Sequence, residues 1–330
     1  MAEVVDQQEI DRLAVGALAR YDISPRATLD LINLSENWTY RVEDPDSGDA
    51  YALRVHRINY HTPQQIESEL MWIDALRDNG VVASVVAQPA RTGERVIQVA
   101  TDTLPERSVV LFDWVDGAPP DPDANPVPGF RTLGAISAHM HQHARAWQPP
   151  AAFTRFTWDF DTSLGNRGHW GRWQDGLGME GDTLALMQRT VDTIEQRLQA
   201  YGKGPDRFGL AHSDIRLANL LVDDDAVRVI DFDDCGFSWF MYDYATTVSF
   251  LEDHPLVPEL RAAWLEGYRS VAEISAEDEA VLDTLVMLRR LLLVTWVGSH
   301  YAFAPEAQEL GAGFTDATCA LAEDYLAKHT

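Results

Sequence analysis

Acidic side chains interrupt apolar runs between residues 211 and 236. His212, Asp214 and Asn219 are spaced as H-x-D-x-x-x-x-N, and Asp231 follows 12 residues after Asn219. An unpaired carboxylate is expensive to remove from water. The stretch is therefore either a solvated acidic surface or a site that holds a strongly positive group.

The second interpretation corresponds to a definite chemistry. The segments NLLV and VRVIDF predict a tight hairpin, and closing it brings Asn219 and Asp231 together at its base. Amide and carboxylate oxygens suit a Mg²⁺ ion that keeps waters and phosphate oxygens in its shell. Asp214, on the preceding loop, is placed to accept a proton from an attacking hydroxyl. A metal clamp, a base and a positioned nucleophile are the working parts of phosphoryl transfer.

The elements before this stretch predict a small antiparallel sheet with one helix inserted after its third strand. Thr62 is typical of a helix N-cap, because Pro63 and Gln65 follow it at the first and third helical positions. Helices are predicted over 7–20 and 63–79, and strands over 28–34, 38–43, 50–56, 94–100 and 107–115.

A proline-rich connector over residues 115–129 separates this part from a mainly helical remainder. The sequence therefore predicts an α+β, bilobal fold with a small β-rich N-terminal lobe, residues 1–116, and a larger, mainly helical C-terminal lobe, residues 117–330. A short strand is predicted at 207–211. Helices are predicted over 129–146, 181–200, 240–252, 257–274, 277–300 and 314–328.

Charge and composition favour some partners over others. The chain has 52 acidic residues against 26 basic ones, a formal charge of −26, and its lysines are Lys203 and Lys328. Such a field repels nucleic acid and anionic membranes, so neither is an expected partner. No apolar run approaches the roughly 20 residues that span a membrane, and the N-terminus lacks a signal-peptide pattern. With two cysteines and no disulfide framework, we expect a cytoplasmic protein.

Several motifs resemble one known family in order and spacing. HSDIRLAN, residues 212–219, is similar to a kinase catalytic loop, and VIDFDD, residues 229–234, to its metal-binding segment. Four more stretches resemble further elements of the family: MYDYA, LGAISAHMH, SENWTYRV and YALRVHR. Together they resemble the aminoglycoside phosphotransferase/choline kinase family, the small-molecule relatives of eukaryotic-type protein kinases. The resemblance implies a protein-kinase-like fold and the cofactors ATP and Mg²⁺.

The resemblance also implies roles for residues of the loop and hairpin. Asp214 corresponds to the catalytic base, and Asn219 and Asp231 correspond to the Mg²⁺ ligands, with Asp233 assisting. His212 is counted with the catalytic residues and, like Asp243, is expected to brace the loop through hydrogen bonds.

For the nucleotide, the resemblance implies contacts from the first lobe. Arg54 stands where the family has a phosphate-contacting base, and Glu69 is its expected partner. The G-x-G-x-x-G pattern is absent from the loop over 35–37. Backbone amides and short side chains must therefore cover the phosphates there. The remaining expected contacts are Ser35 and Asn37 on that loop, and Asp113 and Val115 on the connector.

We therefore expect an ATP-dependent phosphotransferase with a small hydroxyl-bearing acceptor. Acids and three tryptophans of the second lobe predict an acidic, aromatic mouth, and hence an amine-bearing acceptor. The residues of that mouth are Trp158, Trp170, Trp173, Asp159, Asp161, Asp175, Glu180, Glu252 and Asp253. Two alternatives stay open at this point: a bacterial stress-response-type protein Ser/Thr kinase, and a non-catalytic nucleotide-binding scaffold.

Overall fold

A computed structural model describes residues 6–34, 37–120, 124–223 and 226–329 of the chain. The chain divides into two compact units. The first unit comprises the described residues of 1–79, 83–117 and 149–154, and the second comprises those of 80–82, 118–148 and 155–330.

The first unit is built on a six-stranded antiparallel sheet. Its strands are β1 (Thr28–Leu34), β2 (Trp38–Glu43), β3 (Ala50–Val55), β4 (Ala87–Gln88), β5 (Ile97–Val99) and β6 (Arg107–Asp113). They lie in the order β1-β2-β3-β6-β4, and β5 also pairs with β6. Tyr40 lies opposite Leu53 on the neighbouring strand. Both side chains are buried on one face of the sheet, because residues directly opposite each other on neighbouring strands point to the same side.

Two helices complete the first unit, α1 (Gln7–Leu18) and α2 (Pro63–Asp78). The apolar face of α1 joins the core formed by the sheet. α2 begins with the capping box that the sequence predicts. The backbone N–H of Gln65 donates to Thr62 Oγ1 at 3.2 Å, and the backbone N–H of Thr62 donates to Gln65 Oε1 at 2.9 Å.

The second unit is mainly helical. Its helices are α3 (Val127–Ala146), α4 (Phe160–Ser163), α5 (Gly181–Tyr201), α6 (Tyr242–Thr247), α7 (Val257–Arg269), α8 (Ala276–His300), α9 (Pro305–Leu310) and α10 (Gly313–His329). α3 and α7 pack closely because each has a glycine at the contact. A Cβ atom at Gly134 would lie 2.0 Å from the carbonyl oxygen of Trp264, and one at Gly267 would lie 1.9 Å from that of Arg131. Across the described ranges, no helix is both long and apolar enough to cross a bilayer.

Two small sheets belong to the second unit. Their strands are β7 (Phe156–Trp158), β8 (Phe208–Ala211), β9 (Leu220–Asp223), β10 (Ala226–Val229) and β11 (Gly236–Trp239). β9 and β10 form an antiparallel hairpin. β11 lies in the centre of the other sheet, parallel to β7 and antiparallel to β8.

The predicted α+β class, with a β-sheet region followed by a helical region, is confirmed. Several details of the prediction were wrong. α6 spans only 242–247 where a helix over 240–252 was expected, and β4, β7, β11, α4 and α9 were not predicted. The second hairpin strand ends at Val229, so Asp231 lies after the strand. Asp231 has a positive φ of 60°, which is incompatible with a strand.

Candidate active site

The loop over residues 212–219 joins β8 to β9, and a buried carboxylate of α6 fixes its backbone. Asp243 has no exposed surface. Its Oδ1 accepts from the backbone N–H of Ser213 at 2.8 Å, and its Oδ2 accepts from that of His212 at 3.3 Å. Ser213 has a φ of 65°, a conformation that an L-residue keeps only when its surroundings enforce it. The hydrogen bonds to Asp243 hold Ser213 in this conformation.

Asp243 is itself held by a chain of buried polar groups. His141 Nε2 lies 2.9 Å from Asp243 Oδ2, and His141 Nδ1 lies 3.1 Å from the hydroxyl of Tyr268. Burial lowers the pKa of His141 although Asp243 opposes this effect, and burial raises the pKa of Tyr268 to about 12. The neutral imidazole therefore donates through Nε2 to the carboxylate and accepts through Nδ1 from the phenol.

Asp214 is surrounded by hydrogen-bond donors and positive charge. Asn219 Nδ2 donates to the backbone oxygen of Asp214 at 2.8 Å and to its Oδ2 at 2.9 Å. Arg289, from α8, donates through Nη2 to Oδ1 at 2.5 Å. Arg216 Nε lies 3.4 Å from Oδ2. Both carboxylate oxygens thus face donors.

These neighbours determine the protonation of Asp214. Burial would raise the pKa of its carboxyl group, but the positive charges of Arg216 and Arg289 and the hydrogen bond from Asn219 lower it below its usual value. Asp214 is therefore a carboxylate at neutral pH and can accept a hydrogen bond from a hydroxyl.

His212 connects the loop to the end of the hairpin. Its Nδ1 accepts from the backbone N–H of Asp214 at 3.3 Å, and its Nε2 donates to the carbonyl oxygen of Ile230 at 3.2 Å. Its ring also packs against Phe232, with the two ring centroids 4.5 Å apart. With both ring nitrogens engaged in this way, His212 braces the backbone beside Asp214 and Asp231.

The hairpin brings the backbones of the two principal metal-ligand candidates together. Leu220 pairs with Val229 in the β9–β10 ladder, and the backbone N–H of Ile230 donates to the carbonyl oxygen of Asn219 at 3.0 Å. Asp231 follows directly. Its left-handed backbone is a conformation that non-glycine residues adopt mainly at functional sites and turns.

The segment after Asp231 is fixed through its carbonyl groups. Arg155 donates through Nε to the carbonyl oxygen of Cys235 at 2.7 Å and through Nη2 to that of Asp233. The indole N–H of Trp158 donates to the carbonyl oxygen of Asp234 at 2.7 Å. Three successive carbonyl groups, those of residues 233–235, are thereby held in place.

The donor set here fits a hard divalent cation. Asn219 uses its amide nitrogen for Asp214, so its amide oxygen is the atom that would face a metal ion. The carboxylates of Asp231 and Asp233 would supply further oxygen ligands. Magnesium and calcium prefer such an all-oxygen set.

In the first unit, two of the predicted nucleotide contacts form an ion pair. Arg54 Nη1 lies 3.1 Å from Glu69 Oε1, and the side chains are 14% and 1% exposed. Asn37 Oδ1 accepts from the backbone N–H of Arg57 at 3.1 Å, so this side chain holds the end of β3. Ser35 lies outside the described residues.

The connector residues follow the last long strand of the first unit. Asp113 ends β6, where its backbone N–H donates to the carbonyl oxygen of Val86 at 2.8 Å and its Oδ1 accepts from Gln88 Nε2 at 2.6 Å. The backbone N–H of Trp114 donates to the carbonyl oxygen of Ala50 at 3.1 Å. Val115 follows, beyond the sheet.

The predicted acidic, aromatic mouth needs correction. Trp158 and Trp173 are 1% and 2% exposed, so they are core residues and not an open cation-binding surface. Trp170 is 7% exposed, and its ring centroid lies 5.5 Å from that of Trp158. Three of the expected acids have structural partners: Asp159 pairs with Lys203 at 2.6 Å, Asp161 with Arg167 at 2.5 Å and Glu252 with Arg290 at 2.7 Å.

Sequence reasoning missed Arg155 and Arg289, the two buried arginines beside the hairpin and the loop. For Arg155 no local pattern gave a signal. For Arg289 a signal was present: Arg289 and Arg290 interrupt the apolar run of α8, and a buried arginine requires a partner. The pattern does not say which carboxylate that partner is.

We expect Asp243→Ala to lower both stability and turnover. The change leaves two buried backbone N–H groups and His141 without their acceptor, which costs about 3 kcal/mol of unfolding free energy. A displaced loop should also lower kcat by roughly 10-fold or more. Urea unfolding and steady-state kinetics measure the two effects. Asp192→Ala, at an exposed position of α5, is the control. If Asp243→Ala were as stable as that control, Asp243 would not hold the loop.

Comparison with known proteins gives a consistent result. The model of the phosphotransferase enzyme family (APH) matches residues 31–281. The chain is 22% identical over 327 residues to amicoumacin kinase of Bacillus subtilis (strain 168), covering 92% of this chain and 90% of that protein.

Solved structures with the same fold include two kinases of small molecules. The structure of a microcompartment-associated aminopropanol kinase superposes with a TM-score of 0.89 at 46% identity, covering 97% of this chain and 98% of that one. An amicoumacin kinase in complex with AMP-PNP and Ca²⁺ superposes with a TM-score of 0.77 at 20% identity, covering 96% and 94%.

Proposed function

The chain belongs to the phosphotransferase enzyme family, as its motifs predicted, and on that premise we propose that it transfers the γ-phosphoryl group of ATP to a hydroxyl of a small, amine-bearing molecule with the help of Mg²⁺. The observation that carries this proposal is the arrangement at Asp214. An ionised carboxylate on a braced loop is hydrogen-bonded to the amide of Asn219, the residue proposed as a metal ligand.

Asp214 acts on the acceptor in this mechanism. Its carboxylate accepts a hydrogen bond from the acceptor hydroxyl and so directs a lone pair of the hydroxyl oxygen at the γ-phosphorus. The bond from that oxygen to phosphorus forms while the bond from phosphorus to the bridging oxygen of ADP breaks. The hydroxyl proton passes to Asp214. Because its pKa lies below the usual value, we expect this transfer to be late in the step.

Asn219, Asp231 and Asp233 would hold the metal ion. When bound, a divalent cation neutralises charge on the β- and γ-phosphate oxygens and so favours transfer. The AMP-PNP and Ca²⁺ in the amicoumacin kinase structure, which shares the fold, accord with a nucleotide and a divalent cation. We propose Mg²⁺ because amide, carboxylate and phosphate oxygens are its usual ligands.

The first unit would bind the rest of the nucleotide. Arg54, fixed by Glu69, presents a fixed positive charge and forked donors that match phosphate oxygens. Ser35 and Asn37 are the proposed cover of the phosphates. On the connector, the carbonyl of Asp113 and the N–H of Val115 are the proposed adenine contacts, since the N–H of Asp113 is used within the sheet.

A small acceptor fits the structure better than a peptide does. In protein kinases the segment after the metal-binding aspartate is long and provides a platform for peptides. Here β11 and α6 begin at Gly236 and Tyr242, and Arg155 and Trp158 hold the residues between Asp231 and β11. The scaffold alternative has no support, since Asp214, Asn219 and Asp231 are all present.

Two observations support an amine on the acceptor. The kinase that is 46% identical over nearly the whole chain acts, by its name, on aminopropanol. The formal charge of −26 also concentrates cations near the protein. The acids that pair with Lys203, Arg167 and Arg290 are not proposed as contacts for the ammonium group.

Three acceptors that share one carbon skeleton test the acceptor class. 1-Amino-2-propanol, propane-1,2-diol and lactate each have a secondary hydroxyl and a methyl group. At neutral pH the first is cationic, the second is neutral and the third is anionic. We expect kcat/KM for the amine to exceed that for the other two by at least about 10²-fold, a discrimination typical of sites that pair a charged group.

Measurement of kcat/KM at low and high salt distinguishes a specific contact with the ammonium group of the acceptor from general attraction by the negative charge of the protein. Long-range attraction falls steeply with ionic strength, whereas a partly buried ion pair is screened much less. Equal kcat/KM values for the amine and the diol would contradict the amine proposal and leave only the kinase assignment. If no hydroxyl compound were phosphorylated, the proposed function itself would be contradicted.

A further inference from the structure

Arg289 reaches the proposed base from α8. Its side chain is 4% exposed, and hydrogen bonds to Asp214 and Ser249 anchor its guanidinium. Nη2 donates to Asp214 Oδ1 at 2.5 Å, and Nε donates to Ser249 Oγ at 3.2 Å. A planar fork held at two points has little rotational freedom, so its direction towards Asp214 is fixed.

The two oxygens of Asp214 have different partners. Asn219 Nδ2 and Arg216 Nε approach Oδ2, at 2.9 and 3.4 Å. Within the described ranges, the hydrogen bond that Oδ1 receives comes from Arg289. The terminal torsion of an aspartate is broad and nearly two-fold. Donors on both oxygens are therefore needed to set the plane of the carboxylate.

We propose that Arg289 is a positioning residue of the phosphoryl-transfer site, which fixes the rotation of the Asp214 carboxylate and hence the direction in which it accepts the hydroxyl proton of the acceptor. The inference rests on the proposed role of Asp214 as the base. It assigns to α8 a part in the reaction that the motifs of the loop and hairpin do not contain.

Arg290 provides a matched control because it is the next residue of the same helix. Its side chain is also 4% exposed, and it forms an ion pair with Glu252 at 2.7 Å and a hydrogen bond to Thr318 Oγ1 at 2.8 Å. Replacing either arginine removes a buried cation from α8. Of the two, Arg289 is the one bonded to Asp214.

The first test compares Arg289→Gln with Arg290→Gln in the full-length protein. We expect Arg289→Gln to lower kcat by about 10- to 100-fold, the range for a misplaced catalytic group. The dissociation constant for ATP, measured by calorimetry with Mg²⁺, should stay within about twofold. Arg290→Gln should lower the thermal midpoint to a similar degree but keep kcat within about twofold. Equal losses of kcat in both variants would overturn the proposal.

A double-mutant cycle with Asp214→Asn shows whether Arg289 acts through Asp214. If it does, Asp214→Asn/Arg289→Gln should be no slower than Asp214→Asn alone, within about threefold, because the function that Arg289 supports is already gone. Multiplicative losses would overturn the inference while leaving Asp214 as the base. Near-normal kcat of Asp214→Asn alone would instead contradict the proposed function, so the two failures are distinguishable.

Discussion

Asp214→Asn is expected to lower kcat by at least about 10²-fold, the usual loss when a general base is removed. Asparagine keeps the shape of the side chain and an acceptor oxygen, but it cannot take a proton. Its amide nitrogen would also face donors from Asn219 or Arg289, so the hydroxyl of the acceptor loses its orientation as well. A coupled assay of ADP release with the best acceptor measures the loss.

The affinity for ATP distinguishes this effect from general damage. In the proposed mechanism Asp214 acts on the acceptor, so the dissociation constant of the Mg²⁺–ATP complex should be unchanged in calorimetry. Asp192→Asn, at an exposed position of α5, is the control for loss of one carboxylate. Near-normal turnover of purified Asp214→Asn would remove Asp214 from the role of base.

Asp231→Ala is expected to abolish turnover and the metal-dependent part of nucleotide binding. Its carboxylate follows the hairpin directly, next to the backbone contact between Ile230 and Asn219. A divalent cation held there would neutralise charge on the phosphate oxygens of the nucleotide. We expect the ATP affinity of this variant in Mg²⁺ to equal that of the unaltered protein in EDTA.

Asp233→Ala is the comparison that decides which carboxylate is the principal ligand. If Asp233 only assists, this variant should keep a measurable gain in ATP affinity on adding Mg²⁺. Unchanged Mg²⁺–ATP affinity in Asp231→Ala, with a loss in Asp233→Ala, would transfer the principal role to Asp233.

Local chemistry explains what the sequence could predict. His212, Asp214 and Asn219 lie within eight residues, and a short hairpin brings the backbone of Ile230 to that of Asn219, so spacing and turn length predicted that these segments meet. The same holds for the capping box of α2. Neighbouring residues determine all of these features.

Packing between distant segments explains what the sequence could not predict. Arg289 meets Asp214 across 75 residues of chain. β7 pairs in parallel with β11, which lies about 80 residues later, and neither strand has a pattern of its own. The prediction of an acidic, aromatic mouth was wrong for a related reason. Tryptophans in a loop-rich insert are compatible with either a surface or a core, and only the fold showed that Trp158 and Trp173 are core residues.

The glycine contact between α3 and α7 has a consequence for laboratory evolution of acceptor range. α3 carries His141 and α7 carries Tyr268, the two residues that support Asp243 beneath the loop. Main-chain atoms are in contact at Gly134 and Gly267. A larger residue at either position would therefore push the two helices apart, because no flexible side chain lies between them. Substitutions at these glycines would disturb the catalytic loop whatever the acceptor. Libraries for new acceptors should therefore hold this helix pair constant and place their diversity elsewhere in the second unit.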